Sequence, residues 1–135
     1  MGIKPKCRFG HTMLFINSSI IIFGGYSTSL LKEIWIIQIG NNELEKSFQS
    51  QSSQSTTINS NNTNSYMWNR IELGGTGPCP RMYHSMSLCT EGITKGMIVV
   101  FGGIRGDGEC LDDLWGLRKH RNGTWEWVIL RFIIR

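Results

Sequence analysis

The same set of landmark residues occurs twice in this sequence, in the same order. Each copy starts with Arg-x-x-His, continues with Phe-Gly-Gly and a short segment ending in Trp, and finishes with Trp-x-x-Ile or Trp-x-x-Leu. The landmarks of the first copy are Arg8, His11, Gly24, Gly25, Trp35 and Trp68, and those of the second copy are Arg81, His84, Gly102, Gly103, Trp115 and Trp127. An ordered repeat of this kind predicts one supersecondary unit built twice along the chain.

Each copy is predicted to form four strands. Short apolar runs bounded by turn residues are typical of strands, and the chain has 16 Gly but only 3 Pro. The predicted strands are 12–16, 20–23, 34–39 and 68–73 in the first copy, and 85–89, 97–101, 114–117 and 127–130 in the second. The fold class is therefore predicted to be all-β, with two four-stranded antiparallel sheets.

The second strand of each copy indicates how the sheets pack. It is a continuous apolar run, which predicts that neighbouring sheets cover both of its faces. The paired glycines end this strand, where a bend or a close approach of the backbone would exclude a Cβ atom. The tryptophans are predicted to fill the space between the sheets.

The double glycines and spaced tryptophans resemble the Kelch repeats, and the likeness covers nearly the whole chain. Segments 81–84 and 114–127 are similar to the Kelch domain of protein phosphatases with N-terminal Kelch repeats, a family that includes the brassinosteroid-signalling phosphatases of plants. The resemblance implies two blades of an incomplete Kelch β-propeller. It also implies a non-catalytic protein-interaction module, the regulatory or substrate-recruiting part of a Ser/Thr protein phosphatase.

Two other functions are open to a Kelch-like chain. An adaptor, such as the substrate receptor of a ubiquitin ligase, would use the same blades within a different parent protein. An enzyme of the galactose-oxidase kind would need a Tyr/Cys/His copper site, and the sequence does not carry that set of residues.

The catalytic motifs of the suspected phosphatase parent do not occur in these 135 residues. Such phosphatases hold two metal ions through Gly-Asp-x-His-Gly, Gly-Asp-x-x-Asp-Arg-Gly and Gly-Asn-His-Glu. We therefore expect no catalysis, no cofactor and no metal ion in this chain. A parent protein with a phosphatase domain would bind two divalent metal ions there.

The repeat places the unit boundaries at 1–73 and 74–135. Gly24 and Gly102 are 78 positions apart, but the tract 49–64 consists almost wholly of Gln, Ser, Thr and Asn. Without it the period approaches the roughly 50 residues of Kelch repeats, so we predict a disordered low-complexity insert. The pattern stops after residue 130, which predicts C-terminal truncation and a need for the remaining propeller blades of a parent chain.

Charge and composition restrict the partners and the compartment. The net charge is only +4, and the one basic cluster, 118–121, is interpreted as a solvated hairpin loop, so no nucleic acid is expected. No apolar run reaches the roughly 18 to 20 residues of a membrane helix, so no membrane contact is expected. The four cysteines lack Cys-x-x-Cys spacing and no apolar signal segment opens the chain, which favours a cytoplasmic or nuclear location.

The histidines and acidic residues of the repeat favour structural roles. His11 and His84 occupy the same repeat position, whereas a catalytic group has no reason to recur in each unit, so we predict hydrogen bonding near the start of each first strand. Asp112 and Asp113 are not matched by two acids in the first copy, which favours a solvated loop over a pair of catalytic carboxylates.

The candidate partner-binding residues are Tyr26, Arg105 and Asp107. They are not repeated between the copies, and they lie in the loops that follow the double glycines. Antiparallel strands bring these loops to one edge of the fold, and rigid scaffolds bind partners through such loops. The expected partner is a protein, including a phosphoprotein substrate.

Overall fold

The structure is a computed structural model that describes residues 2–39 and 66–131. It is all-β, with eight strands and no helix in the described ranges, which confirms the predicted fold class. The strands are β1 (Thr12–Ile16), β2 (Ser19–Phe23), β3 (Ile34–Gln38), β4 (Trp68–Ile71), β5 (Ser85–Leu88), β6 (Ile98–Phe101), β7 (Leu114–Lys119) and β8 (Trp125–Leu130).

The strands form two four-stranded antiparallel sheets in chain order. Sheet one is β1-β2-β3-β4 and sheet two is β5-β6-β7-β8. The β1–β2 turn places Asn17 and Ser18 at positive φ, 48° and 58°, which matches the twist that a two-residue hairpin requires. The insert predicted at 49–64 lies outside the described residues, as does nearly all of the predicted truncated end, and the unit boundaries stay a prediction.

The last hairpin differs from its predicted bounds. The ladder between β7 and β8 continues to the pair formed by Lys119 and Trp125, so both strands are longer than predicted. A tight turn closes it, in which the His120 N–H donates to the Thr124 carbonyl at 2.8 Å. Residues 118–119 are therefore strand rather than loop. Their charge suggested a loop, but cross-strand pairing outweighs that local preference.

The two sheets pack face to face, and each sheet has two distinct faces. We call the face that carries Phe23 in sheet one and Phe101 in sheet two the front face, and the opposite face, with Trp35 and Trp115, the back face. The front face of sheet one covers the back face of sheet two. The buried core between them consists of Ile21, Phe23 and Ile34 from sheet one and Ile98, Val100 and Leu117 from sheet two.

Main-chain hydrogen bonds also join the two units. The Gly25 N–H donates to the Arg81 carbonyl at 2.9 Å, and the Arg81 N–H donates to the Leu31 carbonyl at 3.2 Å. A Cβ atom at Gly25 would lie 2.8 Å from the Phe9 carbonyl oxygen. The close backbone approach predicted from the double glycines is therefore confirmed, and it brings the loops of both units to one edge.

The described residues contain no helix with the length and apolar composition needed to cross a bilayer.

Candidate functional site

One edge of the fold gathers the loops of both units. We call this edge the glycine face, and define it as residues 8–11, 24–33, 81–84 and 102–113, the segments that enter each first strand and those that follow each glycine pair. The bridges between Phe9 and Tyr26 and between Met82 and Ile104 tie these segments together within each unit. The three candidate residues Tyr26, Arg105 and Asp107 all lie here.

Three aromatic rings meet on the glycine face. Phe9 and Tyr83 are exposed and Tyr26 is half-buried. The Phe9 ring centroid lies 5.4 Å from that of Tyr26 and 6.4 Å from that of Tyr83. We call these three residues the aromatic cluster. Flat, nearly rigid rings of this kind bury a large area on a partner at a low entropic cost, and Tyr adds a hydroxyl for hydrogen bonding.

The backbone fixes the rings of the aromatic cluster in place. Phe9 and Tyr26 exchange two main-chain hydrogen bonds, at 3.0 and 2.8 Å. The Tyr83 N–H donates to the Gly10 carbonyl at 2.8 Å, so the third ring is anchored across the junction of the two units. The cluster therefore exists only because the units are stacked.

Tyr83 adopts a backbone conformation that side chains disfavour. Its φ is +58°, and Gly10, which occupies the same position of the first unit, has a φ of +66°. The left-handed conformation costs a non-glycine residue about 1–2 kcal/mol, so glycine is the residue that suits this position. The second unit instead has an exposed tyrosine, and strain retained on a surface is an observation from which function can be inferred.

Arg105 and Asp107 bind each other within their own loop. The Arg105 Nε donates to both oxygens of Asp107 at 3.0 and 2.9 Å, and its Nη2 bonds to Glu109. Hydrogen bonds from Arg105 hold the pKa of Asp107 below its usual value. The guanidinium is thus already occupied by two carboxylates. It shapes the loop beside the aromatic cluster rather than presenting an open site for a phosphate group.

A buried ion pair holds the loop of the second unit. The Arg81 side chain is fully buried and donates to Asp113 at 2.6 and 2.8 Å and to the Gly102 carbonyl at 2.9 Å. The Trp115 indole N–H donates to the same carboxylate at 2.7 Å. Burial lowers the pKa of Arg81, but the hydrogen bonds and charge of Asp113 outweigh it and raise that pKa.

The solvated-loop interpretation of Asp113 is therefore wrong. Its hydrogen bonds from Arg81 lower the pKa of the carboxyl, burial opposes them, and Trp115 adds to the lowering. Asp112, by contrast, is exposed. The physical reason is long-range: a buried guanidinium with five donors requires an acceptor, and the chain brings it one from 32 positions away.

The first unit contains the same arrangement with glutamate in place of aspartate. Arg8 donates to Glu33 at 3.1 Å and to the Gly24 carbonyl at 3.1 Å, and the Trp35 indole N–H donates to Glu33 at 2.8 Å. Burial raises the pKa of Glu33, but the hydrogen bonds from Trp35 and Arg8 and nearby positive charge lower it overall. Because the same arginine, carboxylate and tryptophan arrangement recurs in both units, its role is structural: it holds the loop that follows each glycine pair.

His84 links the sheets. One ring nitrogen, Nε2, lies 2.7 Å from the Thr12 hydroxyl of sheet one, and the ring packs edge-on to Phe23 with centroids 4.9 Å apart. Burial lowers the pKa of His84 to about 4, and the charges of Arg81 and His11 act in the same direction. The imidazole is therefore neutral at pH 7. His11, its counterpart, is exposed.

The tryptophans of the fourth strands occupy different surroundings. Trp127 packs between the sheets, with its ring centroid 5.2 Å from that of Phe23 and 6.4 Å from that of Trp115. Trp68, its counterpart, lies on the back face of sheet one beside residues 2–4.

A groove of about 500 Å³ lies next to the glycine face, between β4 and the segment 74–80. Its lining combines apolar side chains such as Leu31 and Trp127 with the charged Lys32 and Arg70. No cluster of three or more His, Cys, Asp or Glu side chains suited to a metal ion occurs among residues 2–39 and 66–131.

No protein-family model matches the chain. It is similar to the Serine/threonine-protein phosphatase BSL2 of Arabidopsis thaliana, with 29% identity over 130 residues. That alignment covers 95% of this chain and 10% of the plant protein. It is also similar to the tRNA wybutosine-synthesizing protein 2/3/4 of Oryza sativa subsp. japonica, with 26% identity over 109 residues, or 79% of this chain and 8% of the rice protein. The chain thus spans a tenth or less of the length of these relatives.

Sequence reasoning found Tyr26 but missed Phe9 and Tyr83. Both sit inside the Arg-x-x-His segments, at the two positions between the landmarks. The sequence does contain a signal that could have identified Tyr83, because Gly10 occupies the equivalent position in the first copy. A position that holds glycine in one copy and a large aromatic residue in the other indicates an unusual backbone conformation.

Proposed function

We propose that this chain is a non-catalytic protein-interaction module, formed from Kelch-type propeller blades and related to the regulatory or substrate-recruiting part of a Ser/Thr protein phosphatase. It acts in the cytoplasm or nucleus. Its partner is a protein, including a phosphoprotein substrate of the associated phosphatase.

The comparisons support a module rather than an activity. The two relatives carry unrelated names, a serine/threonine-protein phosphatase and a tRNA wybutosine-synthesizing protein, and each matches this chain over a tenth or less of its own length. A segment shared by proteins of such different activities does not determine either chemistry. Binding modules recur in this way, because one scaffold presents different loops.

The aromatic cluster is the observation that carries the proposal. Phe9 and Tyr83 are exposed on a face that main-chain hydrogen bonds hold rigid. Aromatic residues are enriched in the energetic centres of protein interfaces, where rigid rings lose little entropy on binding. Glycine would suit the backbone of Tyr83 better, and the ring remains exposed apart from its contact with Phe9, so a role in binding accounts for a tyrosine here.

The test uses Tyr83→Gly, a variant that removes the ring and relaxes the backbone. A photo-crosslinking phenylalanine analogue is placed at position 9, and the full chain is irradiated in an extract of the organism that encodes it. Discrete protein adducts are expected, and Tyr83→Gly should reduce their yield at least tenfold, the effect of removing an interface anchor worth about 1.4 kcal/mol or more.

The matched control is Ile93→Ser with the analogue still at position 9. Ile93 is fully exposed in the β5–β6 loop, on the opposite edge of the fold, so this change should leave the adducts unaltered. Adducts that persist in Tyr83→Gly, or that Ile93→Ser removes equally, would contradict the proposal. Hydrolysis of a phosphopeptide by the purified chain with manganese would contradict its non-catalytic part.

A further inference from the structure

The rings of the aromatic cluster are open to solvent although the units around them are packed. Tyr83 is 60% exposed and Phe9 is 53% exposed. The contact between them crosses the junction of the two units, at the edge of the fold rather than on the outer face of either sheet. The face of an aromatic ring is electronegative and attracts cations. The cluster is therefore a surface on which a positively charged group can bind.

A loop of the second unit, residues 105–109, begins beside Tyr83. Met82, the residue before Tyr83, exchanges two main-chain hydrogen bonds with Ile104, at 3.1 and 2.9 Å. Ile104 is followed directly by the 105–109 loop. The loop therefore starts next to the backbone that carries the Tyr83 ring.

The same loop also reaches the first unit. A Cβ atom at Gly106 would lie 3.8 Å from the Cδ1 of Leu30. Leu30 is in turn joined to Tyr26 by a backbone bridge. The 105–109 loop therefore borders the segments that carry two of the three rings of the aromatic cluster.

The 105–109 loop is negatively charged. It carries Asp107 and Glu109 against the single cation Arg105, and the two acidic side chains are 55% and 60% exposed. The equivalent loop of the first unit, which ends before Lys32, has no charged residue. Lys32 itself lines the groove beside β4. The negative charge beside the aromatic cluster therefore comes from the loop of the second unit.

Glu109 has an oxygen to offer to a partner. Arg105 bonds to its Oε2, whereas its Oε1 accepts no hydrogen bond from any residue that the structure describes. A carboxylate has about four lone-pair sites, so the pairing with Arg105 does not exhaust Glu109. Asp107, by contrast, accepts from Arg105 through both oxygens and also from the Glu109 N–H at 3.0 Å. Glu109 is therefore the acidic residue that is able to bind an incoming cation.

From these observations we infer that the glycine face binds an arginine side chain of its partner, with the guanidinium stacked on the rings of Phe9 and Tyr83 and hydrogen-bonded to Glu109. The inference rests on the proposed function and specifies the chemistry of the partner. Arginine fits better than lysine, because its planar guanidinium both stacks on aromatic rings and donates several hydrogen bonds in a fixed geometry. A phosphate group does not fit, because the loop is negatively charged and Arg105 is already paired.

The test compares three pools of short random peptides that differ only in one fixed central residue. That residue is arginine, citrulline or phosphoserine, and every peptide carries a photoreactive benzophenone group. Citrulline keeps nearly the shape of arginine but has no charge. After irradiation with the full chain, the arginine pool should label the chain about tenfold more than the citrulline pool, through cation–π and ion-pair contacts. The phosphoserine pool should label the chain no more than the citrulline pool.

The overall charge of the chain would produce the opposite preference. The net charge is +4, so unspecific attraction would favour the phosphoserine pool over the other two. A preference for arginine therefore requires a local site.

A matched pair of variants locates that site. Glu109→Gln keeps an oxygen that can accept from Arg105 but removes the charge, and it should lower the ratio of arginine to citrulline labelling about threefold. Glu91→Gln makes the same change at an exposed position of the β5–β6 loop, on the opposite edge of the fold, and should leave the ratio unaltered. Tyr83→Gly should lower labelling by the arginine pool at least as much as Glu109→Gln.

Failure of this inference and failure of the proposed function give different results. Labelling that depends on Tyr83 but is equal for arginine and citrulline, or stronger for phosphoserine, would overturn the inference and leave the proposed function standing. The same conclusion follows if Glu91→Gln lowers the ratio as much as Glu109→Gln. Labelling that Tyr83→Gly does not lower in any pool would overturn both.

Discussion

The Arg-x-x-His segments of the two units carry the same landmarks in different surroundings. Arg81 and His84 are buried where sheet one stacks on sheet two, while His11 is exposed at the outer side of sheet one. The difference in burial between His84 and His11 is therefore determined by whether the other sheet covers the position, and not by residue type alone. Substitutions at matched positions should consequently differ in their effect on stability, with the larger loss at the position that the other sheet covers.

The largest difference is expected between Phe23→Ala and Phe101→Ala. Phe23 lies in the core between the sheets, so its truncation leaves a cavity and should lower the free energy of unfolding by about 3–5 kcal/mol. Phe101 is nearly half exposed, and its truncation should cost about 1 kcal/mol or less. The measurement is urea denaturation. Equal losses at the two positions would break the comparison.

The second effect concerns acid sensitivity at His84, the histidine that is buried at the junction. The pKa of His84 is lowered to about 4 in the folded chain, while an unfolded histidine titrates near 6.5, so the unfolded state binds the extra proton between these values. Stability should fall as the pH drops from about 6.5 to 4, by about 3 kcal/mol in all. Lowered carboxyl pKa values, as at Asp113, add a further loss at the acidic end.

Two variants isolate the histidine contribution. In His84→Gln, the free energy of unfolding should depend much less on pH between pH 7 and pH 4 than it does in the unaltered chain. This holds whatever the stability of the variant at pH 7. Ile93→Ser, a change at a fully exposed apolar position, should keep the slope of the unaltered chain. Matching slopes in the unaltered chain and His84→Gln would show that His84 is not the titrating group.

The smallest effects are expected at Gly10 and Tyr83, which share a left-handed backbone. A Cβ atom at Gly10 would lie 3.0 Å from the Cβ of Met82, and the φ of Gly10 is +66°, so Gly10→Ala should destabilise the chain by about 1–2 kcal/mol.

Tyr83→Gly should change stability by about 0.5 kcal/mol or less, because relief of strain offsets the lost contact with Phe9. Thermal and urea denaturation would measure both. A loss above about 2 kcal/mol in Tyr83→Gly would mean that the ring is structural.

The fold could be predicted from the sequence because the pattern that determines each strand is local and occurs in both copies of the repeat. Apolar runs such as 20–23 and 98–101, each ended by a glycine pair, predicted the central strands within one residue. The bounds of β7 and β8 were less accessible, because charged residues such as Lys119 suggest a loop until cross-strand pairing is known.

The site was only partly accessible, since its contacts join segments that are distant in the chain. Arg81 meets an aspartate 32 positions away, and Thr12 meets a histidine 72 positions away. The sequence does record that an acidic residue stands two positions before Trp35 and before Trp115, and this regularity indicates a repeated partner for the arginine. The aromatic cluster left no such regularity, because Phe9 and Tyr83 occupy different positions of the repeat.

The polar contacts at the junction of the units are largely made by the main chain, through Gly25, Leu31 and Arg81 and through Gly10 and Tyr83. Peptide groups are the same in every residue, so this part of the interface survives most substitutions. Over evolutionary time, duplicated units could therefore diverge in their loops, or be gained, lost or exchanged between genes. Such changes would not each require a compensating substitution on the other side of the junction.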